Sequence, residues 1–325
     1  MDDLSVVLST IRLDGAVYFN AEFSAPWCGE ASFGMPAERV RKMGADHIIF
    51  FHCVTEGSCL ARLSSQHTGV ELKRGDLVAF PHDSTHVLGS DLSLSPVDAR
   101  RAIPVRDPDD FLQLRMGGGG ELTRFVCGYL ACNRRVSRSL LAALPEMFVV
   151  SLAEDQTSSW LLDMLDLAVR ESINERPGAQ SLLTKISELL FTESLRRYSD
   201  GLPEDQSGWL AGLRDPLVGR ALAQLHRSPA QSWSLQSLAR ASATSRSVLG
   251  ERFRQLLGAA PMQYLANHRM ALAAQSLRAS DLPIAQIAAD VGYGSEAAFT
   301  RAFKRNHGMA PGSWRRTPLT HAASG

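Results

Sequence analysis

A helical pattern that occurs twice near the C-terminus constrains the fold of this 325-residue chain more than any other feature. Each copy contains a small residue, a short turn, a serine and two apolar anchors four positions apart. These residues are Ala239, Ser245, Leu249 and Phe253 in the first copy, and Ala288, Ser295, Phe299 and Phe303 in the second. A small residue lets two helices approach closely, and a serine caps the helix that follows it. The pattern predicts two helix-turn-helix units, at about residues 234–255 and 283–306.

The segment between the two copies determines how they are held relative to each other. It carries apolar residues at helical spacing, Met262, Leu265, Leu272 and Leu277. A rigid helix there would hold the two recognition helices about one DNA turn, roughly 34 Å, apart. Two readers on one chain do not require a palindromic site. We expect an all-α C-terminal domain over residues 214–318, preceded by a linker over 201–213.

The distribution of charge agrees with a polyanion partner for this domain. Residues 216–325 carry 13 basic and 4 acidic side chains, whereas residues 1–215 carry 21 basic and 30 acidic ones. The two parts thus have net charges of +9 and −9, which cancel over the whole chain. No run of 18 apolar residues exists, and the acidic start Met1-Asp2-Asp3 is unlike a secretory signal. We expect a cytoplasmic protein without a membrane partner.

The first 150 residues have the pattern of short strands separated by turns. The runs 47–54, 77–80 and 122–130 are rich in β-branched and aromatic residues, which favours a sandwich or a barrel. Between Gly89 and Glu121 lie three prolines, many charges and the glycine run 117–120. We predict a mobile loop there, with the glycines as a flexible linker.

Residues 151–200 change to a helical period and predict an antiparallel hairpin with a turn at Arg176-Pro177-Gly178. Each helix has an apolar stripe, which packs either on the barrel or on a second subunit. We expect a homodimer formed through this hairpin. The stripes are Trp160, Leu161, Met164, Leu165, Ala168 and Ile173, then Leu182, Leu183, Ile186, Leu189, Leu190 and Leu195.

From about Asp215 to Arg316 the chain resembles the AraC/XylS family of bacterial transcription regulators, whose DNA-binding domain holds two helix-turn-helix units. The stretch that carries this resemblance is Ile287-Ala288-x-x-Val291-Gly292-Tyr293-x-Ser295-x-x-x-Phe299-x-Arg301-x-Phe303-Lys304, followed by Gly308-x-x-Pro311. Two departures lie in the first copy. Ala243 stands at the turn position where the family usually has glycine, which is costly if that residue needs a positive φ. Gly250 lies inside the first recognition helix and weakens it.

The region from about Leu4 to Pro145 resembles the cupin-type sensor domain of a subset of this family. The residues that carry this resemblance are Ala25-Pro26-Trp27, His52-x-Val54-x-Glu56-Gly57, Gly75-Asp76-Leu77-Val78-x-x-Pro81-x-x-x-x-His86 and Leu141-x-x-Leu144-Pro145. The fold class is then α+β and multidomain: a cupin-like β-barrel, the helical hairpin, and an all-α domain whose two units are joined by a long helix. The resemblance implies a transcription regulator, more often an activator, with double-stranded DNA, a small-molecule effector and RNA polymerase as partners.

Residues early in each recognition helix and off its anchor stripe are predicted to face the bases. An arginine suits guanine and a glutamate suits cytosine; intramolecular ion pairs are the alternative for Glu251 and Arg301. Basic residues further along, together with the capping serines, are predicted to meet phosphates. The predicted base contacts are Arg246, Ser247, Gly250, Glu251, Glu296, Ala297, Thr300 and Arg301. The predicted phosphate contacts are Ser245, Arg252, Arg254, Ser295, Lys304 and Arg305.

Trp27, His52 and His86 are the candidate effector-pocket residues of the barrel. His47 and His52 are five apart on a strand and therefore point to opposite faces. His52 and His86 are either structural, effector contacts or a two-ligand remnant of a metal site, short of the usual three ligands. A metal-dependent cupin enzyme and a redox-responsive regulator acting through N-terminal cysteines such as Cys28 and Cys127 are the alternative functions. We expect no cofactor, no metal and no catalytic residue.

Overall fold

A computed structural model describes residues 3–10, 14–31, 40, 45–98, 112–134, 136–153, 156–173, 176–203 and 206–317. The strands are β1 (Asp14–Ser24), β2 (Cys28–Ala31), β3 (His47–Glu56), β4 (Ser58–Leu63), β5 (Val70–Lys73), β6 (Asp76–Phe80), β7 (His86–Gly89), β8 (Val97–Asp98), β9 (Leu112–Gly117), β10 (Leu122–Cys132) and β11 (Phe148–Ser151). The helices are α1 (Asp3–Thr10), α2 (Arg138–Ala143), α3 (Gln156–Ile173), α4 (Ala179–Asp200), α5 (Trp209–Arg214), α6 (Pro216–Arg227), α7 (Leu235–Ala241), α8 (Arg246–Leu257), α9 (Pro261–Ala279), α10 (Ile284–Asp290), α11 (Glu296–His307) and α12 (Pro311–Arg316).

The contacts divide the chain into two units. A sheet unit comprises residues 12–134 and 140–202, and a helical unit comprises 1–11, 135–139 and 203–325. The first helix, α1, packs on α6 in the helical unit, where Val6 is buried. The predicted domain over residues 1–150 grouped this helix with the strands. Its apolar contact is with a helix some 210 residues away in sequence, a pairing that no local pattern shows.

The sheet unit contains two sheets, with strand orders β11-β6-β3-β10-β1-β9 and β5-β4-β7-β2-β8. Among the described residues the strands form these two separate sheets, so the cupin-like unit is an open pair of sheets instead of the closed barrel we predicted. Ile48, Phe50 and Val54 of β3 belong to the core cluster that also includes side chains of the second sheet. The core therefore lies between the two sheets.

The glycine run was predicted to be a flexible linker, and this was wrong. Gly117 ends β9 with a φ of 129°, and the next glycines bind the end of β1 through their backbone. The Gly118 N–H donates to Ser24 O at 3.0 Å, and the Gly120 N–H donates to Ala25 O at 2.8 Å. A Cβ on Gly117 would lie 1.8 Å from Ser24 O. These glycines are needed because two backbones approach closely; residues 99–111 of the predicted loop lie outside the described residues.

The hairpin helices α3 and α4 pack on each other, and α4 also packs on β1, β10 and β11. Each predicted stripe divides into a buried line and an exposed line. The buried residues include Leu161, Leu165, Ala168, Leu183, Ile186, Leu190 and Leu195. The exposed ones are Trp160, Met164, Ile173, Leu182 and Leu189, and Leu167, which was not part of a predicted stripe, is exposed as well. The apolar surface of the hairpin is therefore wider than its contacts within this unit.

The helical unit has the predicted arrangement of two helix-turn-helix units joined by a long helix. The pairs are α7 with α8 and α10 with α11, and the 19-residue helix α9 joins them. The anchors Leu249, Phe253, Phe299 and Phe303 are fully buried. No helix in the described part of the chain is long and apolar enough to cross a membrane.

Candidate nucleic-acid interface and sensor cavity

The turn between the helices has the same hydrogen bonds in both units. The Thr244 N–H donates to Ala239 O at 2.9 Å, and the Tyr293 N–H donates to Ala288 O at 2.8 Å. The residue before each donor has a left-handed backbone: φ is 54° at Ala243 and 82° at Gly292. The concern about Ala243 is confirmed, because it adopts the conformation that disfavours a Cβ by about 1 kcal/mol or more.

A serine caps each recognition helix, as predicted. Ser245 Oγ accepts from the Val248 N–H at 3.2 Å, and Ser295 Oγ accepts from the Ala298 N–H at 3.3 Å. Both serines are exposed. The caps fix where α8 and α11 begin, and thus which residues occupy their first turns.

The predicted base-contact residues occupy the first two turns of α8 and α11. Gly250 and Thr300 are half-buried, and the other six are exposed. Neither Glu251 nor Arg301 forms an ion pair with another side chain in the described part of the chain. Their charged groups are therefore not neutralised by such a pair. Base contact by these residues stays a prediction.

The predicted phosphate contacts differ in what else they bind. Arg254, Lys304 and Arg305 are exposed. Arg252, in contrast, directs Nε to Asp215 Oδ2 at 2.7 Å and Nη1 to Gln255 Oε1 at 3.0 Å. Asp215 caps α6 through its other oxygen, so Arg252 ties α8 to the start of α6. A phosphate role has the least support at this position.

Val248 is an exposed apolar residue on the first recognition helix and was not among the predicted base contacts. It follows Ser247, and 47% of its surface is exposed. A β-branched apolar side chain on the first turn suits the methyl group of thymine. The sequence could have indicated this residue, because Val248 lies in the first turn of the helix and off the anchor stripe of Leu249 and Phe253.

In the sheet unit, a small cavity of about 40 Å³ lies between the two sheets. Of the predicted pocket residues, Trp27 and His52 line it, whereas His86 lies behind His52 with its ring stacked on Phe80 at 3.6 Å. Cys127 also lines the cavity and was not predicted to. The full lining is Phe23, Trp27, Gly29, Ala31, His52, Leu88, Val97, Leu114, Met116, Phe125 and Cys127.

Hydrogen bonds link Cys127, His52 and His86 in a chain whose direction can be assigned. His86 Nδ1 lies 2.9 Å from Ser84 O, which only accepts, so Nδ1 carries the proton. Burial lowers the pKa of His86 to about 4, so its Nε2 is unprotonated and accepts from His52 Nε2 at 2.7 Å. His52 Nδ1 then accepts from the Cys127 thiol, with Sγ at 2.5 Å. Every member of the chain is thereby uncharged and has a partner.

The metal and redox alternatives gain no support from this geometry. The two histidine nitrogens bind each other, and among the described residues no group of three His, Cys, Asp or Glu is arranged to hold a metal. His47 binds Pro81 O elsewhere, at 2.6 Å. All five cysteines are buried, and burial raises the pKa of Cys53 and Cys59 to about 12 and that of Cys127 well above its usual value. Reactive cysteines need accessible thiolates.

Two helix-turn-helix units and a cupin-like sheet unit on one chain define a class of transcription regulator. A Cupin family model matches residues 2–200, and a Helix-turn-helix domain model matches residues 238–317. The chain belongs to the AraC family of DNA-binding transcription regulators, in the group with an N-terminal cupin domain.

The chain is similar to several curated regulators. It is 34% identical to a putative AraC-like transcription regulator of Streptomyces antibioticus, over 85% of this chain and 89% of that protein. It is 29% identical to the HTH-type transcriptional regulator AlkR of Acinetobacter baylyi, over 97% of this chain and 99% of that protein. Among solved structures, the DNA-binding domain of AdpA in complex with a target DNA matches with 31% identity and a TM-score of 0.30, over 31% of this chain and 90% of that one.

Proposed function

We propose that this regulator is controlled by a small effector held in the cavity of the sheet unit. The observation that carries the proposal is the cavity itself, which lies between two sheets of a chain that also carries two DNA-binding units. An effector regulates if it binds one arrangement of the protein better than another. The cavity is lined by residues of the sheet unit alone, whereas the residues predicted to contact DNA belong to the helical unit.

The target is double-stranded DNA, contacted in the major groove by α8 and α11. The first two turns of these helices carry exposed residues for base edges: Arg246, Ser247 and Glu251 on α8, and Glu296, Ala297 and Arg301 on α11. Arg254, Lys304 and Arg305 set the register on the phosphates. Because the target is chromosomal DNA in a bacterial family, we place the protein in the cytoplasm.

We propose that a second copy of the chain covers the exposed side of the helical hairpin. Trp160, Met164 and Leu167 are exposed on α3 at the i, i+4, i+7 spacing that forms one face. Leu182 and Leu189 are exposed on α4. Exposed apolar residues grouped on one helix are more typical of an interface than scattered ones. Analytical ultracentrifugation should show a dimer that Met164→Lys converts to a monomer.

Activation through RNA polymerase is the direction of control that we propose. This proposal is supported by the resemblance to a family whose members more often activate transcription than repress it. Purified RNA polymerase and a mapped promoter should yield more transcript when the full-length regulator and its inducing condition are both present. Less transcript would show that the protein represses.

A variant that fills the cavity tests effector control. A Cβ on Gly29 meets only Met116 Cε and Val97 O, each at 3.9 Å, and both residues belong to the cavity wall. Gly29→Val should therefore occupy the cavity. Glu71→Val, which adds valine at an exposed position of the same sheet, is the control.

The experiment first maps the DNA bound in cells and identifies growth conditions that change a reporter on the mapped promoter. The reporter should respond in the wild type and in Glu71→Val but stay constant in Gly29→Val, while all three bind the promoter equally in vitro. A normal response in Gly29→Val would contradict effector control through this cavity.

A further inference from the structure

Arg269 lies near the middle of α9, the helix that joins the two helix-turn-helix units, and its guanidinium binds three backbone carbonyls. Nε donates to Pro229 O at 2.7 Å, and Nη2 donates to Gln231 O at 2.7 Å. Nη1 donates to Gly292 O at 3.3 Å. One side chain thus uses all three of its nitrogens on carbonyls from two segments that are far apart in the sequence.

The three carbonyls belong to different helix-turn-helix units. Pro229 and Gln231 lie in the loop that joins α6 to α7, and α6 packs on both α7 and α8 of the first unit. Gly292 lies in the turn between α10 and α11 of the second unit. The loop and the turn also contact each other, because Ala230 fills the space beside the Gly292 Cα. Arg269 therefore bridges the two units where their backbones meet.

The two halves of α9 pack in different units. In the first half, Tyr264 contacts Phe253 of α8, with 5.7 Å between the ring centroids. In the second half, Leu277 belongs to the core cluster that includes Phe299 of α11. A helix of 19 residues is about 28 Å long, and helices of this length curve. The helix alone would let the angle between the units vary with its curvature, whereas the bridge through Arg269 is a second connection that limits this variation.

Arginine suits this bridge because of its shape. Its guanidinium is planar and presents five N–H donors in a rigid fork, so that three bonds made at once fix its orientation. A lysine would carry the same charge on a single ammonium group at the end of a flexible stem. The bridge should therefore depend on the fork as well as on the positive charge.

From this arrangement we infer that Arg269 is a positioning residue, which fixes the angle and separation of α8 and α11 so that the protein recognises two DNA elements at one separation. The inference rests on the proposed contact of both helices with the major groove. One inserted base pair moves the second element by about 3.4 Å along the duplex and rotates it by about 34° around the axis. A rigid pair of helices cannot follow both changes, and the contacts to one element are then lost.

Competition titrations with the DNA site selected by the full-length protein test this inference. They compare the natural separation of the two elements with one base pair inserted or deleted between them. The wild type should prefer the natural separation by at least about tenfold, since the loss of one or two base contacts has an effect of that size. Arg269→Lys should reduce this preference by at least about threefold, because a looser pair of units adapts to each separation. Arg220→Lys makes the same exchange at an exposed position of α6 and should keep the wild-type preference.

Arg269→Met removes the charge and distinguishes the bridge from a phosphate contact. If Arg269 acts as a bridge, the lysine and methionine variants both lose the spacing preference, and the salt dependence of binding stays that of the wild type. If Arg269 contacts a phosphate instead, Arg269→Met lowers the salt dependence by about one unit of slope. Arg269→Lys would then show the wild-type preference at every separation.

A second measurement of the angle between the units needs no DNA. Nitroxide labels are attached at Ser247→Cys on α8 and Ala297→Cys on α11, two exposed positions, whereas the five native cysteines are buried. Double electron–electron resonance on labelled protein, diluted with unlabelled protein, should give one narrow distance distribution. Adding Arg269→Lys should broaden this distribution, and adding Arg220→Lys should not. Far-UV circular dichroism and the midpoint of urea unfolding show whether each variant is folded.

The inference is overturned if the wild type binds all three separations equally, if Arg269→Lys keeps the wild-type preference, or if Arg269→Lys leaves the distance distribution narrow. Unfolding of both Arg269 variants would also overturn it, because the residue would then hold the fold instead of the orientation. Failure of the proposed DNA contact has a different result. No DNA with two elements would be selected, while the resonance measurement would still test the role of Arg269.

Discussion

The two helix-turn-helix units share the same backbone arrangement, but they differ in the residue at the turn and in the residues predicted to face DNA. The first unit has Ala243 in a left-handed conformation where the second has Gly292. The first recognition helix offers a glycine and an exposed valine, whereas the second offers Thr300 and Arg301 at the positions that correspond to Gly250 and Glu251. Each unit has three hydrogen-bonding side chains among its predicted base contacts, but the strained Ala243 and the helix-weakening Gly250 both belong to the first unit. We therefore expect the first unit to hold its base-contacting residues less rigidly, and the second to define its bases more sharply.

The largest expected effect concerns the turn of the second unit. A Cβ on Gly292 would lie 2.4 Å from Ala230 O and 2.8 Å from Ala230 Cα. Gly292→Ala should cost about 3 kcal/mol of unfolding free energy, from the left-handed strain and the clash together. The midpoint of urea unfolding of the full chain, followed by far-UV circular dichroism, measures this loss.

Two further substitutions serve as controls for Gly292→Ala. Gly294→Ala should be nearly neutral or slightly stabilising, since its Cβ would have no atom within 4 Å. Ala243→Gly should stabilise the first unit by about 0.5 kcal/mol, because relief of strain exceeds the added freedom of the unfolded chain. A wild-type midpoint for Gly292→Ala would show that the turn of the second unit tolerates a Cβ as the first does.

Acidification should loosen the first unit before the second. His226 on α6 and His268 on α9 are buried with their rings 4.1 Å apart, beside Tyr264, which packs on Phe253 of α8. Burial lowers the pKa of His268 to about 4 and that of His226 well below 6.5. Below pH 6.5 the unfolded chain binds protons that the folded chain does not. The free energy of unfolding therefore decreases as the pH decreases below 6.5, by up to about 1.4 kcal/mol per pH unit for each histidine.

Hydrogen exchange followed by mass spectrometry at pH 5 and pH 7, corrected for intrinsic rates, tests this difference. The amides of α8 should lose more protection at pH 5 than those of α11. The histidine of the second unit, His307, is only half-buried. Equal losses in the two helices would contradict the assignment of acid sensitivity to the first unit.

Arg301→Ala should weaken binding to the specific DNA site by about 1–3 kcal/mol and affect random DNA less, if this arginine pairs with a guanine. Arg305→Ala, in the same helix, should weaken both by similar factors and lower the salt dependence by about one unit of slope. Fluorescence-anisotropy titrations at several salt concentrations measure both. Equal losses on specific and random DNA for Arg301→Ala would remove its base-reading role.

Val248 should contribute less to the free energy of DNA binding than Arg301, and only through apolar contact. Replacing the thymine it contacts by uracil removes one methyl group, which is worth about 0.8 kcal/mol, or about fourfold in affinity. The same replacement of thymine by uracil should not change the affinity of the Val248→Ala variant for the site. Scanning each thymine of the selected site with uracil, in both proteins, identifies the contact. If no thymine distinguishes the two proteins, Val248 does not read a methyl group.

The sequence predicted the features that depend on local periodicity. The two units, their serine caps, their buried anchors and the unusual residue at Ala243 follow from spacing over a few turns of helix. Features that depend on distant residues were missed. Arg252 binds an aspartate 37 positions away, and His52 contacts a cysteine 75 positions away. The ordered glycines that follow β9 were taken for a linker because only the neighbouring strand shows why they must be glycine.

Selection from a random DNA library by the full-length protein, followed by sequencing, is the most direct test of the central claim. That claim is that the two helix-turn-helix units of one chain recognise different DNA sequences. We expect the selected DNA to contain two sequence elements about one helical turn apart on one face of the duplex. They should be non-palindromic, with the element read by α11 the more sharply defined. Arg301→Ala should blur only that element. A palindromic site, two equally defined elements, or no enrichment over random DNA would contradict the account.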